Sequence, residues 1–129
     1  MEKQFVSSAH KECFTNMMIE DDMSPQDTER ASLFYIIAGN GDLYKKRRFI
    51  YNSSEHSIIC VCLDSVDVDF SSSMLSLIRL GFNLYNGWSD SYTTPMYLLG
   101  SLDNRNLFLA GNAITIRFGK SLLIEELLE

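Results

Sequence analysis

Apolar side chains recur at steps of three and four residues through most of the chain, which is the spacing of amphipathic helices. Together with capping residues, this pattern predicts helices over residues 8–20, 24–38, 72–86, 94–99, 104–118 and 122–128. Ser7 or Ser8 caps the first helix. Ser24-Pro25 and Thr94-Pro95 each place a hydroxyl cap before a proline in the first turn. Gly39-Asn40-Gly41 is expected to end the second helix with a positive φ.

Two short β-prone runs interrupt the helical pattern. Phe49-Ile50-Tyr51 and Ile58-Ile59-Cys60-Val61-Cys62 are separated by residues 52–56, which have the composition of a turn, so a small β-hairpin is expected around residues 48–62. Residues 114–118 also alternate as a strand would, but the longer pattern over residues 107–118 favours a helix. The sequence therefore predicts a mainly α fold (α+β): a single compact helical domain over residues 1–129 with one small hairpin.

Composition indicates a folded chain rather than a disordered one. Of the 129 residues, 46% are apolar and 12% are aromatic, whereas disordered segments are poor in both classes. No window approaches the roughly 20 apolar residues that span a bilayer, and the N-terminus lacks the apolar core of a secretory signal. We therefore expect a cytoplasmic protein without a membrane partner.

Charge narrows the choice of partner. Seventeen acidic and eleven basic side chains give a net charge of −6, which opposes general binding to a phosphate backbone, so direct nucleic-acid binding is not expected. The run Lys45-Lys46-Arg47-Arg48 goes against this balance and is either a solvated segment or a docking patch.

Trp and Tyr are enriched at interface hot spots. The predicted partner-binding residues are Trp88, Tyr92, Asp64, Asp67 and Asp69.

The three cysteines and two histidines raise the question of a metal site. His10-x-x-Cys13 would place two ligands on one face of the first helix, and Cys60-x-Cys62 would place two more on one face of a strand. A Cys₃His set suits tetrahedral zinc, and His56 could replace one ligand. The spacing is not that of a zinc finger, and cysteine is often buried without any other role. A structural zinc site and buried thiols with a hydrogen-bonded histidine both remain open.

No motif for catalysis or nucleotide binding is complete. Gly119-Lys120-Ser121 resembles the end of a phosphate-binding loop, but Ile114 stands where that loop requires glycine. Asp67-x-Asp69 lacks the glycine and the closing acid of a calcium loop. Cys13 beside His10 provides no oxyanion hole. The sequence therefore does not predict an enzyme.

Several longer motifs resemble those of a known group of proteins. They are Phe5-x-Ser7-x-x-His10, residues 33–44 (LFYIIAGNGDLY), residues 82–86 (FNLYN), Leu102-Asp103-x-x-Asn106 and Ala113-Ile114-x-Ile116-Arg117-Phe118. From about residue 5 to residue 118 the chain resembles a family of small proteins of unknown function from Firmicute bacteria and their prophages. The resemblance implies a phage or mobile element in a Gram-positive host, where small acidic proteins often bind and neutralise host defence proteins.

Two functions follow as expectations. The first is a phage-type inhibitor that binds a host protein, with an anti-CRISPR protein acting on a CRISPR effector nuclease as its most specific form. This form rests on the resemblance and on the acidic charge. The alternative is a small zinc-dependent cytosolic regulator or enzyme of unknown reaction, which rests on the possible Cys₃His set.

Overall fold

The computed structural model describes residues 5–24 and 26–119. Within these residues the chain forms seven α-helices and one two-stranded hairpin, which confirms the predicted mainly α fold. The helices are α1 Ser8–Glu20, α2 Thr28–Ala38, α3 Gly41–Lys45, α4 Arg47–Ile50, α5 Ser72–Asn86, α6 Pro95–Leu99 and α7 Asn104–Phe118. The strands are β1 Tyr51–Asn52 and β2 Ser57–Ile58, and a 3-10 helix, Cys60–Leu63, follows them. The predicted helix over residues 122–128 lies outside the described residues.

Helix α2 is the centre of the fold, with α1, α5 and α7 packed against it. Residues 33–38 carry no charged side chain and are apolar on every face, which is the composition of a helix buried on all sides. Leu33, Tyr35 and Ile36 are each 0% exposed. Burying a large apolar side chain stabilises the folded state by about 1.5–3 kcal/mol, so the side chains of α2 supply a large part of the hydrophobic stabilisation of the fold.

Gly39 ends α2 for a reason other than backbone freedom. The φ of Gly39 is −82° and that of Asn40 is −127°, so the predicted positive φ in this segment is wrong. A Cβ on Gly39 would lie 2.2 Å from Leu109 Cδ1 and 3.1 Å from His10 Cε1. The absence of a side chain at Gly39 therefore allows α7 and α1 to approach the end of α2.

Helix α2 also begins later than predicted. Asp27, rather than Ser24, is its N-cap, and Asp27 Oδ1 accepts a hydrogen bond of 3.0 Å from the Arg30 amide. Ser24 Oγ instead accepts from the Gln26 amide at 3.2 Å in the preceding turn. Pro25 lies outside the described residues. An aspartate in the first predicted turn thus competes with the serine as a cap and is the residue used.

Helices α1, α5, α6 and α7 agree closely with their sequence signals, whereas α3 and α4 were not predicted. Helix α1 has the predicted bounds, with Ser7 as its N-cap. Helix α5 also has the predicted bounds and ends at Gly87, whose φ is 81°. Residues 107–118 are helical, as expected, and Asp103 is the N-cap of α7. Across the described residues, no helix combines the length and apolar character needed to cross a bilayer.

The hairpin is present but shorter than its β-prone runs. Its strands pair antiparallel with Tyr51 opposite Ile58 and Asn52 opposite Ser57. Phe49 and Ile50 belong to α4, and Cys60–Leu63 is a 3-10 helix rather than a strand. A 3-10 helix turns once every three residues, so side chains two positions apart point in different directions. The prediction that Cys60 and Cys62 share one face of a strand is therefore wrong.

Candidate functional site

A group of exposed apolar side chains lies in and just before α6. Tyr92, Met96 and Tyr97 are 50%, 82% and 59% exposed. The rings of Tyr92 and Tyr97 meet edge to face, with centroids 5.3 Å apart. Single exposed apolar residues are ordinary, whereas neighbouring ones mark an interaction surface, and Tyr and Met are enriched in protein interfaces. We call Tyr92, Met96 and Tyr97 the aromatic patch.

Asp90 fixes the loop that carries the aromatic patch. Asp90 Oδ1 accepts hydrogen bonds from the Tyr92 amide at 3.0 Å and from Thr93 Oγ1 at 2.8 Å. Asp90 Oδ2 accepts from Arg79 Nε at 2.9 Å, and the Arg79 guanidinium lies 5.0 Å from the centroid of the Tyr92 ring. Partial burial raises the pKa of Asp90, but the hydrogen bonds from Arg79 and Thr93 outweigh burial and hold the pKa below its ordinary value. Asp90 and Arg79 thus hold Tyr92, and with it the Tyr92–Tyr97 ring pair, in a fixed position.

Trp88, the other predicted aromatic contact, covers the core. Its ring packs edge to face on Phe82, with centroids 5.6 Å apart, and the residue is half-buried. Asn83 Nδ2 donates to the Trp88 carbonyl, and Asn86 Oδ1 accepts from the Trp88 amide, both at 3.0 Å. The structure therefore separates the two predicted aromatic contacts, because Tyr92 is exposed and Trp88 is anchored against α5.

The three predicted acidic contacts lie on the segment between the 3-10 helix and α5. Asp64, Asp67 and Asp69 are all exposed. Asp64 ends the 3-10 helix, and the carbonyl of Asp69 accepts a hydrogen bond from Lys46 Nζ. All three residues are therefore accessible to solvent.

His10 is a buried histidine with both ring nitrogens hydrogen-bonded. The Val6 amide donates to Nδ1 at 3.1 Å, so Nε2 carries the proton and donates to the Tyr35 carbonyl at 2.9 Å. Burial lowers the pKa of His10, and Arg105 lowers it further, while the bond to Tyr35 acts in the opposite direction and is outweighed. His10 thus joins α1 to α2 as a neutral side chain.

The predicted zinc ligands are not assembled. Cys13, Cys60 and Cys62 are free thiols, and burial raises the pKa of Cys62 to about 12. Over residues 5–24 and 26–119, no three His, Cys, Asp or Glu side chains lie close enough to hold one metal ion. The set of His10, Cys13, Cys60 and Cys62, with His56 as the replacement, is therefore not brought together. Zinc binding itself stays a prediction that elemental analysis can test.

Asp21 forms the centre of an ion-pair cluster that the sequence did not reveal. Its side chain is 0% exposed, and its Oδ2 accepts hydrogen bonds from Arg30 Nη1 at 2.6 Å and from the Tyr51 hydroxyl at 3.0 Å. His56 Nδ1 lies 3.2 Å from the same oxygen. Arg30 also binds Asp27 through Nε at 2.6 Å. Burial, and then the bond to Asp21, raise the pKa of Tyr51. One carboxylate thus joins the end of α1 to α2 and to the hairpin.

The backbone beside this cluster adopts an uncommon conformation. Asp22 and His56 have φ values of 47° and 52°, in the left-handed region that residues other than glycine rarely occupy. The Tyr85 hydroxyl donates to the His56 carbonyl at 2.7 Å, which ties the hairpin turn to α5. A cleft of about 510 Å³ lies over the cluster. It is lined by Glu20, Asp21, Asp22, Arg30, His56 and Tyr85. His56, the alternative metal ligand, therefore contacts Asp21 at the end of α1 through its ring and Tyr85 of α5 through its carbonyl.

Comparison with known proteins gives a family but no activity. The chain matches the sequence model of a family of unknown function, DUF6075, over residues 1–127. No curated protein and no solved structure matches it significantly. Because the match covers nearly the whole chain, this protein belongs to the DUF6075 family, whose function is unknown.

Proposed function

We propose that this protein acts by binding another protein and that the aromatic patch is its contact surface. The observation that carries the proposal is the joint exposure of Tyr92, Met96 and Tyr97 on a segment held by Asp90 and Arg79. A few tyrosine, tryptophan and arginine anchors supply most of the binding energy of an interface. Side chains that are already held in place lose less conformational entropy when the partner docks.

The partner that fits this protein has an apolar pocket surrounded by basic side chains. The chain carries a net charge of −6, and the carboxylates of Asp64, Asp67 and Asp69 are exposed. Complementary charge speeds association and helps to select the partner. Because salt screens exposed charges, we expect the complex to weaken as ionic strength rises.

A narrower form of the proposal is a cytoplasmic inhibitor encoded by a phage or prophage. Its target would be a bacterial defence protein, and a CRISPR effector nuclease is the most specific choice. The motif resemblance to proteins of Firmicutes and their prophages supports this form. The acidic charge of this protein also supports this form. A nuclease that binds nucleic acid has a basic surface, to which an acidic protein is attracted. Cleavage of target DNA by a purified effector, with and without excess protein, tests it, and unchanged cleavage by every effector tried counts against it.

The general proposal is tested by removing the aromatic patch. A partner is first captured from a Gram-positive host lysate, identified by mass spectrometry and purified, and its affinity is then measured by calorimetry. The triple variant Tyr92→Ser, Met96→Ser and Tyr97→Ser should weaken binding by about 100-fold or more, because hot-spot residues dominate binding energy. All three side chains are exposed, so the variant should keep its circular dichroism spectrum and its unfolding midpoint.

The matched control removes an exposed apolar side chain elsewhere. Ile19 is 73% exposed and lies on α1, away from both the aromatic patch and the acidic residues at 64–69 in the sequence. The Ile19→Ser variant should bind the partner within about threefold of the wild type, since residues outside an interface are near neutral. An equal loss of affinity in the two variants, or no loss of affinity in the triple variant, would show that the aromatic patch is not the binding surface.

A further inference from the structure

A second, smaller cavity opens between α1, α4 and the hairpin. Its volume is about 190 Å³. Met17, Phe34 and Tyr51 are buried and form its apolar floor. The remaining lining residues are Glu20, Arg47, Arg48, Asn52, Ser53, Ser54 and Ile59. A concave apolar surface with a few convergent polar groups is the usual form of a small-ligand site.

The charged side chains of this cavity hold a carboxylate loosely. Arg47 Nε lies 3.5 Å from Glu20 Oε1, and Arg48 Nη2 lies 3.4 Å from Glu20 Oε2. Charge-assisted hydrogen bonds between guanidinium and carboxylate are normally about 2.7–2.9 Å long. The two guanidinium groups therefore converge on one carboxylate without binding it closely.

Arg47 is held in position independently of Glu20. Its Nη1 donates to the Tyr44 carbonyl at 3.0 Å, and its guanidinium lies 4.2 Å from the centroid of the Tyr44 ring. The Arg47 side chain is 22% exposed, whereas that of Arg48 is 76% exposed and more free to move. A guanidinium held by Tyr44 and an exposed one beside it can both bind an anion that enters the cavity.

Glu20 is a weak occupant of this position. It is the last residue of α1, where the helix dipole is unfavourable to a negative charge. Its side chain is 38% exposed, and exposed ion pairs contribute little to stability. Displacing Glu20 therefore costs little, and the cavity would then have two positive charges with no acid between them.

We propose that this cavity binds an oxyanion, a phosphate or a carboxylate, through Arg47 and Arg48, and that Glu20 occupies the position of the ligand in its absence. Three polar residues, Asn52, Ser53 and Ser54, also line the cavity. Guanidinium groups suit both anions because their N–H groups match the oxygen spacing of each. The site is separate from the aromatic patch and does not depend on the proposed partner.

The test measures anion affinity directly. Inorganic phosphate and acetate are titrated separately into the whole protein at constant ionic strength, and amide shifts are followed by NMR. Glu20→Gln should tighten binding by about fivefold, the size expected for loss of one exposed ion pair. Arg47→Gln and Arg48→Gln should each weaken binding by about tenfold, since each removes a charge-assisted contact. Tighter binding of phosphate than of acetate would identify a phosphate site, and the reverse a carboxylate site.

Arg105→Gln provides the matched control, because Arg105 is an exposed arginine on α7 and does not line the cavity. It should leave the affinity for either anion unchanged within about twofold if the contact is local. Unfolding midpoints are measured for every variant, and Arg48→Gln keeps the test valid if Arg47→Gln alters the fold. The proposal is overturned if Glu20→Gln does not tighten binding, or if Arg105→Gln weakens binding as much as Arg48→Gln does.

Discussion

The two histidines of the chain lie in opposite environments. His10 is 2% exposed and has hydrogen bonds at both ring nitrogens. His56 has a side chain that is 55% exposed and lies beside the buried carboxylate of Asp21. A buried neutral histidine stabilises the folded state only while it stays neutral. His10 therefore contributes to the pH dependence of stability.

We expect the free energy of unfolding to fall as the pH falls below about 6.5, the ordinary pKa of histidine. The folded pKa of His10 lies below this value, so the unfolded chain binds the proton first. The contribution is complete above the unfolded pKa and is lost as pH falls towards the folded pKa, by at most about 1.4 kcal/mol per pH unit. Urea unfolding between about pH 7.5 and pH 5.5, followed by Trp88 fluorescence, measures this slope.

His10→Gln is the control for this slope. Glutamine can still donate to the Tyr35 carbonyl but does not titrate. The variant should be less stable at neutral pH and should lose stability less steeply as the pH falls. An unchanged slope would mean that another group binds the proton.

At the residue scale, the sequence predicted individual side chains better than their groupings. Tyr92 was expected at a surface and is exposed, and a hydrogen-bonded His10 was one of two stated alternatives. Asp21 follows the last residue of α1, where the helix dipole is unfavourable to an acid. That position was itself a signal, because a buried acid there needs a cation. The identity of the cation, Arg30, depends on how α2 packs, and no local pattern contains that information.

At the scale of elements, local chemistry determined most of the boundaries. Ser7, Ser71 and Gly87 act as the caps that their residue types favour, and these three ends need no tertiary contact. The strand predicted at Cys60 was wrong, because a short apolar run fits a strand and a buried helical turn equally well. Gly39 was placed correctly but for the wrong reason, because its role lies in a contact with Leu109, 70 positions away in the chain.

Two glycines give a matched test of helix packing. Gly39→Ala should lower the free energy of unfolding by about 1–3 kcal/mol, because the new Cβ would lie 2.2 Å from the buried Leu109 side chain. Gly111→Ala, within α7, should raise it by about 0.5–1 kcal/mol, because alanine is the better helix former and nothing lies within 4 Å of the new atom. Urea unfolding measures both changes. Equal effects of the two substitutions would show that backbone propensity, and not contact, decides the role of Gly39.

At the scale of the whole molecule, the core and the surface have separate roles. The core is organised around α2, while the aromatic patch and the cavity at Arg47 draw their exposed side chains from other elements. Tyr92, Met96, Tyr97 and Arg48 can therefore be changed with little effect on stability. This separation makes the binding experiments interpretable, because a loss of binding need not reflect a loss of fold.

The burial of α2 predicts the pattern of amide exchange. Amides of Leu33 to Ala38 should exchange only through global unfolding, because α1, α5 and α7 surround this helix. Amides of α6, where Met96 and Tyr97 are exposed, should exchange through local opening. Native-state hydrogen exchange at low denaturant concentration separates the two classes. Exchange of the α2 amides at the rate of α6 would contradict this description of the core.

The cluster at Asp21 also constrains how this family can diverge. One buried carboxylate binds Arg30 from α2 and Tyr51 from β1, so the effect of a substitution at any one of these positions depends on the other two. A homologue that loses the acid would retain a guanidinium with one fewer partner, which is costlier than losing both groups. Asp21, Arg30 and Tyr51 should therefore covary among relatives, so that these three positions evolve as a unit, whereas the exposed residues of the aromatic patch are not under this constraint.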